Sequence, residues 1–187
     1  MTPNPARPSR SAVSTGRTIE ITPHAAGLER DRFDTHYEHM LLNDNDRTKD
    51  KMVGVYRLMQ GHHAATAGQF YSADEYDLTP LIDSGRSLLE LGRSCLAPAY
   101  RGGAAMYHLW NGLADYVAEQ GVEILFGVAS FHGTDIDALA HPLSLLHHRH
   151  LAPEGLRTRA RVFQSMDLVP ETALDRRAAM LQVPALI

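Results

Sequence analysis

The 187-residue sequence holds a single cysteine, Cys95, and a single tryptophan. One thiol cannot close an internal disulfide, and without a Cys-x-x-Cys partner it supports neither a zinc ribbon nor a dithiol redox pair. A reducing cytoplasm is the expected setting. Long apolar runs are also missing. No stretch approaches the roughly 18 residues of a spanning helix, and no apolar core follows the N-terminal charges, so any membrane contact is expected to be peripheral. A basic excess is absent too: 18 Lys and Arg face 22 Asp and Glu, a formal net charge of -4. Such a chain has no field that would draw it to nucleic acid, and no nucleic-acid partner is expected. No internal repeat occurs. What is present, 44% hydrophobic and 21% charged residues, is ordinary for a globular protein with a real core. The length suits one domain.

The first 17 residues, "MTPNPARPSRSAVSTGR", are rich in Pro, Ser and Arg with one isolated Val, and predict a disordered tail at 1–17 before a single domain at 18–187. Two short apolar runs at 39–44 and 52–59, separated by "NDRTKDK", predict a β-hairpin with a charged turn. Residues 70–81 mix aromatics with acids and predict an irregular, partly helical excursion. "SLLELGRSCLA" at 87–97 reads as a third strand, closed by Pro98. From Ala104, apolar residues at Met106, Leu109, Trp110, Leu113 and Val117 keep the spacing of one helical face, and Gly121 ends it. The apolar run 122–131 predicts a strand buried on both faces. A helix is expected at 135–149 with a kink or break at Pro142, then a strand at 157–166 and a last helix at 171–182. Alternating strands and helices after an initial hairpin give an α/β (α+β) fold with a mixed sheet flanked by helices.

Between the third strand and the long helix lies Tyr100-Arg101-Gly102-Gly103-Ala104-Ala105. Small residues let a ligand approach the backbone, the first N–H groups of a helix are unpaired and point outward, and Arg101 adds a formal charge. This is a candidate anion site.

The stretch Arg101-Gly102-Gly103-Ala104 resembles the acyl-CoA-binding motif of the GNAT acyltransferase superfamily, in which Arg or Gln, two residues, Gly, one residue, then Gly or Ala follow one another. Ala104 stands at the first motif Gly and Met106 at the last position. The segments "DRFDTHYEHMLL", "GVYRLM", "FYSADEYDL", "LLELGRSCLAPAYR", "LFGVASFHGTD" and "LLHHRHLAPEGLRTRAR" together resemble the L-ornithine N-acyltransferases of ornithine-lipid biosynthesis. Acyl-homoserine-lactone synthases are similar more thinly, through Asp31-x-Phe33-Asp34, Gly54-x-x-Arg57-Leu58 and Glu90-Leu-x-Arg93. Gly103 stands where ornithine-lipid relatives commonly carry a second basic residue. The resemblance also implies a domain shortened at both ends.

That resemblance implies transfer of a 3-hydroxyacyl chain from acyl carrier protein to the α-amine of L-ornithine, giving lyso-ornithine lipid. It implies no cofactor beyond the phosphopantetheine carried by the acyl donor, and a cytoplasmic location at the inner face of the membrane. An acyl-homoserine-lactone-synthase-like enzyme, or an acyl-carrier binding module without turnover, are the alternatives. Amide formation needs a neutral amine, and an α-amino group is mostly protonated at neutral pH, so a carboxylate base is required. Glu90, alternating with Leu89 and Leu91, would project into the acceptor cleft. Arg57 would hold the acceptor carboxylate, Asp31 and Asp34 its distal amine, and Arg93 would bind substrate or pair with an acid such as Asp34. Backbone N–H groups at 94–96, beginning with Ser94 and Cys95, would face the developing oxyanion, with no covalent role for the Cys95 thiol. Arg101 to Ala104 would hold the donor phosphate. Arg101, Arg149, Arg157, Arg159 and Arg161 would meet the acidic carrier protein.

The eleven histidines raise the question of a metal, above all His141, His147, His148 and His150. His147 and His148 are adjacent, so on a helix they point about 100° apart, and no metal site is expected. Either could donate a proton to the leaving thiolate.

Overall fold

The computed structural model describes residues 30–184 and two short strands before them, β1 (Val13–Ser14) and β2 (Arg17–Thr18), which pair antiparallel. The expected tail at 1–17 otherwise lies outside the described residues. The chain divides into two compact units, Arg32–Val128 with Ala152–Phe163, and Met1–Asp31 with Ala129–Leu151 and Gln164–Ile187.

The unit containing Arg32–Val128 is built on a four-stranded sheet. Strands β3 (Glu38–Asn43) and β4 (Met52–Gln60) form the hairpin, and α1 (Gly61–Ala67) follows directly. A 3₁₀ turn at Tyr71–Asp74, the short β5 (Tyr76–Asp77) and α2 (Thr79–Ile82) make the irregular excursion. Then come β6 (Leu88–Leu96), α3 (Ala105–Gln120) and β7 (Ile124–Gly127). The sheet order is β3-β4-β6-β7, antiparallel except for the β6–β7 pair. A parallel pair needs a crossover, which α3 supplies.

Strand parity decides the two faces. Tyr56 and Leu58 of β4 and Leu89 of β6 are buried with Leu113 of α3. On the opposite face Met59 and Leu88 join Phe33, Tyr37, Phe70, Leu78 and Leu81 in the largest cluster. Parity changes within β6: Leu89 and Leu91 pack toward α3, yet so does Leu96. The register explains this, because Val55 pairs with Cys95 but Arg57 with Gly92, leaving Arg93 and Ser94 opposite Tyr56 alone. This is a β-bulge, and Arg93 takes the positive φ of 50° that the extra residue requires.

The C-terminal elements depart from expectation. The run 122–131 is a strand only at Ile124–Gly127, and it is an edge strand of its sheet. Ile124 and Phe126 pack inward while Leu125 is 41% exposed, because only one neighbour and one covered face exist for it among the described residues. The strand expected at 157–166 shrinks to β8 (Arg159–Ala160), paired with β5. The helix expected from 135 begins at 140.

That helix, α4 (Ala140–Arg149), belongs to the other unit with α5 (Arg176–Gln182). Asp135 accepts the N–H groups of Asp137 and Ala138, at 3.1 and 3.3 Å, and so holds a turn ahead of α4. Pro142 falls in the first helical turn, where a missing N–H leaves no bond unmade, so no kink arises. The segment 171–182 splits into a 3₁₀ turn (Glu171–Ala173) and α5, because Asp175 caps the latter by accepting from Ala178 N–H at 3.0 Å.

The last pairing of the parallel pair is Leu91 with Gly127. A Cβ at Gly127 would stand 2.5 Å from the Leu91 carbonyl oxygen, a backbone atom that cannot rotate away. Gly127→Ala is expected to lower stability by about 1–3 kcal/mol, the usual cost of overpacking, read from the urea midpoint. An unchanged midpoint would mean that the two strands part there without resistance.

Candidate functional site

Beyond Leu91, β6 runs on to Leu96 beside β4 only, because its pairing with β7 has ended. Among the described residues, no strand pairs with 92–96 on the β7 side of the sheet. Ser94 Oγ is buried without a hydrogen-bond partner among the described residues, whereas the Cys95 thiol is exposed. Past Leu96 a 3₁₀ turn at Pro98–Tyr100 leads into the glycine loop, where Gly102 takes a φ of 79°. No side chain caps the N-terminus of α3. At this point lies a cavity of about 500 Å³, lined by Leu42, Val53, Tyr100 and the loop from Arg101 to Ala105. Its floor is apolar and its rim carries backbone N–H groups and one guanidinium, a combination that suits an anionic group attached to an apolar chain. Arg101 is exposed and anchored by its own Nε, which donates to the Leu96 carbonyl at 3.1 Å.

The Tyr100 hydroxyl donates to Asp44 across the same cavity. That bond, with a second from Asp46 N–H, holds the Asp44 carboxyl below its ordinary range. The same carboxylate pushes the Tyr100 phenol up. Neither residue is singled out by sequence pattern, since an Asp in a charged turn is usually only a turn residue.

Of the expected acceptor residues, the structure brings together Arg57 and Asp34, on the face of the sheet opposite α3. Arg57, 6% exposed, pairs with Asp34 at 3.1 Å and lies over the Tyr37 ring, 3.9 Å from its centroid. The cation and the anion assigned to opposite ends of an acceptor thus bind each other. Asp31 is partly buried and falls in the other unit. Arg93 is exposed at the bulge.

Glu90, expected to project into an acceptor cleft, is enclosed instead. It is 1% exposed, and its carboxylate accepts Tyr71 N–H at 2.7 Å, Ser72 N–H at 2.8 Å and the Ser72 hydroxyl at 2.6 Å. The turn 71–74 covers it. A second lock holds the turn: Arg32 donates to both oxygens of Asp74, at 3.1 and 3.0 Å, and Gln69 adds a bond of 2.7 Å. Tyr71 and Ser72 carry no sequence signal for this role, because their partner is 18 or more residues away.

Among the arginines expected to meet a carrier protein, Arg157 and Arg161 donate through Nε to backbone carbonyls of Ala152 and Ala73, at 2.7 and 3.1 Å. Arg159 lies over the exposed Phe163 ring. Arg149, in the other unit, is paired with Glu171. His148 and His147 of that unit face Asp167, at 3.4 and 3.9 Å.

A smaller cavity of about 290 Å³ lies between β3 and α3, with Glu38, Asp115, Glu119 and Tyr116 on its walls. Burial first, then the bond to Glu38, pushes the Tyr116 phenol up to about 12. Folded protein therefore keeps this proton where unfolded chain has lost it, and the contribution to stability fades as pH climbs from about 10 toward about 12. Alkaline titration at the phenolate absorption band is expected to show a late step near pH 12, absent from Tyr116→Phe. Persistence of that step in the variant would assign it elsewhere.

A mixed sheet whose parallel pair parts beside a glycine loop and an open helix N-terminus is the framework of an acyltransferase-type domain. The pattern of the acetyltransferase (GNAT) domain matches residues 15–111, and the chain belongs to that family. It is 60% identical over 170 residues to the L-ornithine N(alpha)-acyltransferase of Rhodobacter capsulatus, covering 89% of this chain and 66% of that protein. Proteins of the same name from Brucella abortus and Agrobacterium fabrum are 40% and 37% identical, over 85% and 84% of this chain. The chain spans 66%, 59% and 56% of the length of these three relatives. Among the described residues no helix is long and apolar enough to cross a membrane.

Proposed function

We propose that this chain carries the acyl-transfer domain of an N-acyltransferase that moves a 3-hydroxyacyl group from acyl carrier protein to the α-amine of L-ornithine, giving lyso-ornithine lipid. The observation that carries the reading is the cavity at the Arg101–Ala105 loop, where an uncapped helix end and a guanidinium meet an apolar floor beside the stretch of β6 that runs on past β7. Identity of 60% to an L-ornithine N(alpha)-acyltransferase supports the choice of acceptor.

In this reading the phosphopantetheine phosphate sits on the N–H groups at Gly102 to Ala105 with Arg101 beside it, and the thioester lies along 94–96. The ammonium proton first passes to water; the neutral amine nitrogen then attacks the thioester carbonyl, the C–N bond forms, the C–S bond breaks, and the second amine proton passes through water to the departing thiolate. Backbone N–H groups at 94–96 steady the oxyanion between those events. Direct attack needs no protein nucleophile, so the exposed Cys95 thiol is a bystander. Glu90 acts as a positioning residue, holding the 71–72 turn against β6, rather than as the base. The lipid product leaves at the inner face of the membrane.

The test is mass spectrometry of products after the chain meets 3-hydroxyacyl carrier protein with an equimolar panel of ornithine, lysine, glutamine and S-adenosylmethionine. Acyl-ornithine as the dominant product is expected. Acylation of another acceptor would overturn the choice of ornithine. Intact donor in every case would overturn turnover by this chain and favour a binding module.

A further inference from the structure

His147, His148 and Asp167 offer three ligand atoms that all lie within 4.8 Å of one another. The adjacency of the two histidines argues against a shared ligand only if that ligand must lie on one ring's axis. Here the two rings lie edge to face with centroids 5.2 Å apart, and one carboxylate reaches both. Its Oδ1 is 3.4 Å from His148 Nε2 and its Oδ2 is 3.9 Å from His147 Nε2. A fourth donor atom, the Val169 carbonyl oxygen, stands 3.0 Å from His148 Nε2 and accepts its proton when that nitrogen carries one.

The arrangement is braced from below. Ser144 is wholly buried on α4, three and four residues before the histidines, so it shares their side of the helix. Its hydroxyl accepts the N–H groups of Leu168 and Val169, at 3.0 and 2.9 Å, and donates to the Met166 carbonyl at 3.0 Å. The segment carrying Asp167 is thereby fixed at the height of the histidines before any ligand arrives. Such bracing is what a preorganised site needs.

From this geometry we infer a divalent transition-metal site formed by His147, His148, Asp167 and the Val169 carbonyl. Bonds of about 2.0–2.2 Å to a first-row cation place neighbouring donors about 3.0–3.6 Å apart, close to the 3.4 Å between Asp167 and His148 and the 3.0 Å between His148 and the Val169 carbonyl, with His147 3.9 Å from Asp167. Asp167 is exposed and free to close the remaining distance by rotation. Two nitrogens and two oxygens favour zinc, nickel, cobalt or copper over calcium or magnesium. The cation would pin the segment around Asp167 to the end of α4, replacing a single carboxylate shared by two imidazoles.

The test uses the untagged full chain, stripped with EDTA, titrated with Co2+ by visible absorption and with Zn2+ by calorimetry. One cation per chain is expected. Asp167→Asn, nearly isosteric at an exposed position, should weaken binding by more than about tenfold, and His147→Ala with His148→Ala should abolish it. The control pair His62→Ala with His63→Ala should leave it unchanged. Circular dichroism reports whether each variant folds; should the double histidine variant fail, Asp167→Asn alone decides. Absence of stoichiometric binding, binding that follows His62 and His63, or full affinity in Asp167→Asn would each overturn the site.

Discussion

Replacing Glu90 with Ala is expected to destabilise the protein by about 3–5 kcal/mol, since three donors directed at a buried carboxylate lose their acceptor at once. Tyr71 N–H, Ser72 N–H and the Ser72 hydroxyl all point at a residue 1% exposed, and the two bonds from Ser72 are buried from water. Glu90→Gln separates two readings. One oxygen becomes an NH2 group that must face either Tyr71 N–H or Ser72 N–H, and donor against donor costs about 1–3 kcal/mol. Urea unfolding measures both variants, with turnover measured on the same samples. A positioning role predicts that stability and turnover fall together. A Gln variant with a wild-type midpoint and no turnover would return Glu90 to the role of base.

The second large effect concerns Arg57. Arg57→Met is expected to cost about 3 kcal/mol, the lower range for breaking a buried ion pair, because Asp34 retains some contact with solvent. Arg57→Lys keeps the charge but loses the flat stack on Tyr37, and is expected to cost about 1 kcal/mol. A cycle with Asp34→Asn should show coupling of about 1–3 kcal/mol. Additive single and double variants would show that the pair contributes nothing and leave both residues available to an acceptor.

Both predictions depend on pairings that composition and periodicity do not reveal. Glu90 was legible as a carboxylate on the face opposite Leu89, and the structure puts it among Met59 and its neighbours. What covers that face was not legible, because an irregular stretch such as "FYSADEYDL" has no period from which to place its backbone N–H groups. In the sequence Arg57 suits an external carboxylate, and Asp34 suits an external amine or Arg93. An isolated charge in a sequence has no visible partner, and the fold supplied an internal one.

The long helix and its stop at Gly121 follow from local rules alone: apolar spacing buries Leu109 and Leu113, and a glycine takes the left-handed φ of 63°. The hairpin, the third strand and the glycine loop likewise follow from propensity and turn chemistry acting over a few residues. The bulge at Arg93 is not local. It resolves a conflict between the parity of Leu89 and Leu91 and that of Leu96, which arises only once β6 lies against β4 and α3. The burial of Glu90, the Asp34–Arg57 pair and the meeting of His147, His148 and Asp167 are of the same kind. Each joins groups distant in the chain, and hydrogen bonds and ion pairs have ranges of a few ångströms in space, so only the tertiary structure could choose their partners.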